Sequence, residues 1–328
     1  MKSVAIFNNK GGVGKTTLLC NLAAYLAIKE RYKILVVDAD PQCNASQSMF
    51  SDTAIHKHYK QNDFTVQHIV RPLAIGKGFS KSLEPKRSKR FGLDVILGDP
   101  AMSLNEDLLA SDWVAATGGN LRGLRTTFLF LELLSRCNTY DYVFFDVGPS
   151  LGSINRSVLL AVDAFVSPMS IDIFSLKALD NISTQINDWK KKLQRGIEDI
   201  GDTADLGVDT PKWRSRFAGY VTQQYTKKTE GGQQRPVRAY DEVMKQMPEK
   251  IQQRLIDELG EEGTAESKLL GTIPLLHSLV PMSQTSRAPI FDLKAADGVV
   301  GAHFTRVREF EETIGSIATR FEEEMESV

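Results

Sequence analysis

Directly after the apolar run Val4-Ala5-Ile6-Phe7 comes Lys10-Gly11-Gly12-Val13-Gly14-Lys15-Thr16-Thr17, a set of residue types suited to gripping a chain of phosphates. Phosphate oxygens need several backbone N–H donors converging on one point. Glycine lets the backbone curl that tightly, and a following helix aims its positive end at the anion. Gly11, Gly12 and Gly14 supply the curl, with Val13 among them and Thr17 opening the helix. Lys15 is placed to reach β- and γ-phosphates, and the Thr16 hydroxyl suits a phosphate-bound Mg²⁺. A nucleoside triphosphate is the expected ligand. The general pattern G-x-x-x-x-G-K-[ST] is broken at its first glycine, where Asn9 stands, and Lys10 follows one step later.

Two further segments carry carboxylates where such a ligand would need them. Ile34-Leu35-Val36-Val37-Asp38-Ala39-Asp40-Pro41-Gln42 reads as a buried parallel strand ending in two acids, and Tyr142-Val143-Phe144-Phe145-Asp146 as another ending in one. Ligands of parallel sheets sit outside the carboxyl ends of the strands. Asp-Ala-Asp-Pro can also be a plain turn with an Asx cap. Asp146 would hold Mg²⁺ directly or through water, and Gly148-Pro149 would make a turn able to sense the γ-phosphate.

On these residues the chain resembles the deviant Walker A ATPases, the ParA/MinD superfamily that includes ParA/Soj partition proteins. Lys10 matches the signature lysine of that family, and Asp38 to Gln42 is similar to its D-x-D-P-Q motif, followed here by Asn44 and Ser46. The resemblance implies that ATP is sandwiched in a homodimer, with Lys10 reaching across to the partner's phosphates as an arginine finger does elsewhere. It further implies Lys10, Lys15 and Asp40 as catalytic residues, Asp40 orienting the attacking water. Thr16, Asp38 and Asp146 would form the Mg²⁺ shell.

The elements expected to position these groups alternate along the chain. Strands fall near 3–8, 33–38, 93–97, 142–146, 164–168, 216–222 and 269–273, with helices over Thr16 to Glu30 and Leu176 to Gln194. Alternation of this kind predicts an α/β, doubly wound, mainly parallel sheet flanked by helices, here as one domain over 1–328. Residues 51–90 are polar and basic, and read as a surface insertion. Near the end, Phe304, Val307, Phe310, Ile314, Ile317 and Phe321 make one apolar stripe that packs on the sheet. By resemblance, Pro274 in Gly271-Thr272-Ile273-Pro274 and Gln223 are candidates against the adenine. The family's arginine after that proline and its Ser-Glu-Ala-Pro run are replaced by Leu275-Leu276-His277 and Ser286-Arg287-Ala288-Pro289.

Composition sets the remaining limits. The chain has 328 residues, 42% hydrophobic and 25% charged, with net charge −1, enough for a core of good size. No apolar run approaches the ~18 residues that span a bilayer, and residues 1–10 lack a signal-peptide layout, so a cytoplasmic protein without membrane contact is expected. The closing Phe321-Glu322-Glu323-Glu324-Met325-Glu326 would be repelled by anionic lipid. Cys20, Cys43 and Cys137 are scattered, without disulfide or metal spacing. No operator-binding module is expected ahead of the phosphate loop.

Two basic stretches could meet DNA phosphates: Lys86, Arg87, Lys89 and Arg90 in the run 81–90, and Lys227, Lys228, Arg235 and Arg238 after the strand ending at Val221. A solvated surface loop is the commoner explanation of the first. The expected function is a ParA-like ATPase whose ATP-bound dimer binds double-stranded DNA nonspecifically, on the nucleoid, and is released by hydrolysis stimulated by a ParB-like or other partner. The alternative is an ATP-gated interaction protein that docks a protein complex, positioning cargo or guarding a genome, with little DNA binding of its own.

Overall fold

The runs Val4-Ala5-Ile6-Phe7, Ile34-Leu35-Val36-Val37 and Val143-Phe144-Phe145 are apolar on every residue, so they are stable only with both faces covered. The computed structural model describes residues 1–223, 228–230, 233–235, 238–276 and 278–327, and their side chains except within 228–241. Ten strands are described: β1 Lys2–Ile6, β2 Ile34–Asp38, β3 Lys86–Ser88, β4 Leu93–Ile96, β5 Tyr142–Asp146, β6 Ala164–Met169, β7 Arg216–Gln223, β8 Lys228–Glu230, β9 Gln233–Arg235 and β10 Leu269–Ile273. All seven expected strands are among them.

Eight form one sheet in the order β10-β7-β6-β1-β5-β2-β4-β3, with β8 and β9 a separate hairpin. Every pairing in the large sheet is parallel except β3 on β4. The fold is therefore the doubly wound, mainly parallel architecture read from the sequence. The chain winds outward on both sides of β1, which is flanked by β5 and β6, and such a switch point opens a crevice at the carboxyl ends of the strands.

Alternation along the strands divides the core into two layers. Ala5, Phe7, Leu35, Val37, Val143 and Phe145 point to one face, and Val4, Ile6, Ile34, Val36, Tyr142 and Phe144 to the other. The first face lies under the helices Glu106–Ala116, Leu129–Ser135, Ser153–Ala161 and Ile173–Ile200, and the second under Lys15–Ile28 and His303–Glu326. The last helix buries Val307, Phe310, Ile314, Ile317, Phe321 and Met325. At about 1.5–3 kcal/mol for each fully buried large side chain, this stripe outweighs the repulsion among its exposed glutamates. Phe304 departs from the stripe and stands exposed at the helix start.

Residues 51–90 are less superficial than their composition implies. They fold into the helices Asp52–Lys60 and Gln67–Ala74 and strand β3, and they send Phe64, Val66, Ile69, Val70 and Leu73 into the core. Val66 N donates to the Leu97 carbonyl at 2.9 Å, tying the segment to the end of β4. The Lys-Arg-Ser stretch is a strand because it pairs antiparallel with β4, which closes that edge of the sheet with basic side chains.

Candidate functional site

The crevice is floored by the ends of β1, β2 and β5. Gly12 and Gly14 adopt φ of 73° and 77°, the left-handed region open to glycine, and so turn the chain sharply into the helix Lys15–Ile28. That helix has no side-chain N-cap and no acidic residue in its first turn. Its leading N–H groups and the positive end of its dipole are left for an anion. Val13 is buried beneath the loop, which fixes the curl from below.

The two lysines of the loop diverge. Lys15 is buried, and its Nζ donates to the Lys10 carbonyl at 2.9 Å. Burial lowers its pKa, against the pull of Asp146 and Asp40. Lys10 instead sends its Nζ away from the loop to the carboxylate of Asp172, with Ser170 Oγ at 2.9 Å and Ser175 Oγ at 3.3 Å. Asp172 has a second task. Its Oδ1 caps the helix Ile173–Ile200 by accepting from Phe174 N at 2.9 Å and Ser175 N at 3.1 Å. Burial raises the Asp172 pKa, but the bonds from Lys10, Ser170 and Ser175 prevail and hold it at about 2.

Beside the lysines lies an acidic pair. Asp38 and Asp146 are partners in the β2–β5 register. Asp146 Oδ2 accepts from Thr16 Oγ1 at 2.8 Å, and Asp38 Oδ2 from Ser46 N at 2.7 Å. Their Oδ1 atoms are buried with no hydrogen-bond partner among the described residues. Burial pushes Asp38 up to about 7, with a further push from Asp40; Asp146 is raised well above the usual carboxylate range by burial, then by Asp38. Two orphaned carboxylate oxygens beside a threonine hydroxyl fit a hard cation. Among the described residues no three His, Cys, Asp or Glu side chains form a metal cluster, so such a cation would take its other ligands from hydroxyl, water and phosphate.

Asp40 is buried, with Oδ1 accepting from Gln42 N at 2.9 Å. It faces the turn after β5, since a Cβ added to Gly148 would lie 3.2 Å from Asp40 Oδ1. That turn is pinned by Asn155, whose Nδ2 donates to the Gly148 and Ser150 carbonyls, both at 2.7 Å. Glu106 supports the following helix by accepting from Ser153 N and Ile154 N. Gln223 ends β7 and donates through Nε2 to the Val13 carbonyl at 2.9 Å. It pairs in register with Ile273 of β10, so Pro274 follows at the same corner of the crevice.

The structure thus brings Lys10, Gly11, Gly12, Val13, Gly14, Lys15, Thr16, Thr17, Asp38, Asp40, Asp146, Gln223 and Pro274 to one end of the sheet. The basic run lies elsewhere. Lys86 pairs with Asp63 at 3.1 Å, Arg87 with Asp94 at 3.1 Å, and Arg90 with Asp297 at 3.0 Å. Lys89 has no ion-pair partner among the described residues. Lys227 lies outside the described residues, as do the side chains of Lys228, Arg235 and Arg238. Sequence reading missed Ser170, Asp172 and Ser175, although Ser-x-Asp directly after a strand and before a helix is a capping signal.

Residues 1–198 match a family model described as an AAA domain. The chromosome partitioning protein ParA of Myxococcus xanthus is 31% identical over 195 residues, covering 60% of this chain and 61% of that one. The chain spans about 62% of the length of the first curated relatives it matches. Protein DIP2308 of Corynebacterium diphtheriae superposes with a TM-score of 0.73 at 29% identity over 99% of both chains. An ATP complex of Cyanothece McdA superposes with a TM-score of 0.63 at 15% identity, over 98% of this chain and 96% of that one, a likeness of fold. No helix among the described residues is long and apolar enough to cross a membrane.

Proposed function

The chain belongs to the ParA/MinD family of P-loop ATPases, and from that premise we propose that it is an ATP-gated DNA switch. Two copies close on ATP, the closed dimer holds double-stranded DNA without sequence preference, and slow hydrolysis stimulated by a ParB-like or other partner releases it. The observation that carries this reading is the divergence of the two loop lysines. Lys15 stays inside, where it would neutralise the phosphates of its own subunit. Lys10 is held at the rim by Asp172, turned away from its own loop, and a phosphate supplied by a second copy gives it a task.

Mg²⁺ bound with ATP would neutralise charge developing on the transferred phosphoryl group. Thr16 and Asp146 would hold that ion, with Asp38 beside them. Asp40 would accept a hydrogen bond from the attacking water and fix its direction, and Gly148, against Asp40, would report the γ-phosphate to the turn pinned by Asn155. On dimer closure Lys10 would exchange the carboxylate of Asp172 for the partner's phosphate.

The DNA face would draw on Lys89 and on Lys227, Lys228, Arg235 and Arg238. A second reading, ATP-gated docking of a protein complex, is favoured by the ion pairs that occupy Lys86, Arg87 and Arg90. Ile173 and Phe174, exposed just beyond Asp172, favour it too. Retention on arbitrary duplex DNA with ATP, ADP or no nucleotide, at two salt concentrations, separates the two readings. Binding only with ATP and weakening with salt supports the DNA switch; ATP-driven dimers that ignore DNA turn the reading to docking.

A further inference from the structure

At the amino ends of the strands, the opposite end of the sheet from the phosphate loop, lies an open cavity of about 600 Å³. It is lined by the last turns of the helix Ile173–Ile200, by the segment 211–216 leading into β7 and by 259–261 ahead of β10. Its volume falls in the range of small-molecule sites. Two features of the lining define what would fit. Trp213 and Ile197 are half-buried and offer apolar surface, the indole backed by Trp189 with ring centroids 6.4 Å apart.

Lys190 and Lys212 bring positive charge that no carboxylate among the described residues meets within ion-pair distance. Lys190 Nζ donates to the Leu259 carbonyl at 3.3 Å. Two acids line the wall: Glu261 is already taken by Arg216 Nε at 3.2 Å and Phe217 N at 3.1 Å, and Glu198 accepts from Gln194 Nε2 at 2.9 Å.

We infer that this cavity is a second ligand site, for a small organic anion with a flat apolar ring. The ring lies against Trp213 and Ile197, and the anionic group meets Lys190 and Lys212. The site shares no residue with the phosphate loop, and the two are joined by the single helix that begins at Asp172.

The probe is 8-anilino-1-naphthalenesulfonate, a flat ring system with one anionic group, titrated by fluorescence into the full chain saturated with ATP and Mg²⁺. One saturable site is expected, not displaced by further ATP. It should weaken at least tenfold in Lys190→Met, which keeps the stem and removes the charge, and vanish in Ile197→Trp, which fills the cavity, with both variants keeping the wild-type melting temperature. If Lys190→Met unfolds, Ile197→Trp alone decides. Absence of a saturable site, binding that survives the filled cavity, or binding that further ATP displaces overturns the inference.

Discussion

Asp38 and Asp146 stand opposite one another at the ends of β2 and β5, each with one buried carboxylate oxygen that none of the described residues satisfies. Such a pair is unfavourable when both are charged. Burial first, and neighbouring carboxylates second, hold protons on these groups to higher pH than in the unfolded chain, for Asp38 to about 7. Between about pH 4 and pH 7 the folded protein therefore binds more protons than the unfolded one, and its stability falls as pH rises through that window. At ~1.4 kcal/mol per unit, Asp38 alone accounts for a few kcal/mol. Asp38→Asn should flatten the pH dependence of melting in nucleotide-free protein and melt higher than wild type at pH 7.5. Equal slopes for the two proteins between pH 5 and 7.5 would refute the argument. Added ATP and Mg²⁺ should raise the wild-type melting temperature more than that of the variant.

Lys10 contacts Asp172, Ser170 and Ser175 rather than its own loop, so its loss should spare nucleotide binding. Lys10→Ala is expected to bind ATP within about twofold of wild type and to lose turnover by about 10³-fold or more, the scale of an arginine finger. Phosphate release and equilibrium nucleotide binding, measured on the same preparation, check this; retained turnover would remove Lys10 from the chemistry.

Asp172 both caps a helix and holds Lys10, and the two roles separate in Asp172→Asn. The amide still accepts from Phe174 N and Ser175 N, while its grip on an ammonium is weaker. The ion pair has side chains 26% and 30% exposed, so it is worth at most about 1 kcal/mol after solvent screening. Freeing Lys10 should tighten ATP-dependent dimerisation by up to about fivefold, read by sedimentation equilibrium, with unchanged helix content by circular dichroism. A variant that dimerises more weakly than wild type would show that Asp172 assists closure instead of opposing it.

The strands and the phosphate loop were legible because each signal is local: apolar runs capped by acids, and glycines spaced for a tight turn. Asp172 was not. Its meaning lies in a contact with Lys10 across 162 positions, which only the parallel neighbourship of β1 and β6 creates. Segment 51–90 misled for another reason. Its apolar residues Phe64, Val66, Ile69, Val70 and Leu73 were outweighed by polar composition, although Ile69, Val70 and Leu73 already had helical spacing. Strand β3 has no strand signature of its own and exists through its pairing with β4.

Close approaches of glycine were equally hidden, and they yield the last expectation. In the helix Ile173–Ile200, a Cβ added at Gly196 would come within 2.1 Å of the Ala116 carbonyl oxygen, which is backbone and cannot swing aside. The end of the helix Glu106–Ala116 is packed against this glycine, and overpacking there costs about 1–3 kcal/mol, more than the ~1 kcal/mol of helix propensity that alanine returns. At Gly118 the nearest neighbour of an added Cβ is the Ala115 carbonyl oxygen at 3.6 Å, an ordinary contact. Gly196→Ala should therefore lower the melting temperature by a few degrees, while Gly118→Ala leaves it within about one degree or raises it. Both should keep the ATP affinity of wild type, because neither position touches the crevice. Calorimetry on the pair decides: if both variants melt alike, helix packing at Gly196 is not the tight contact described.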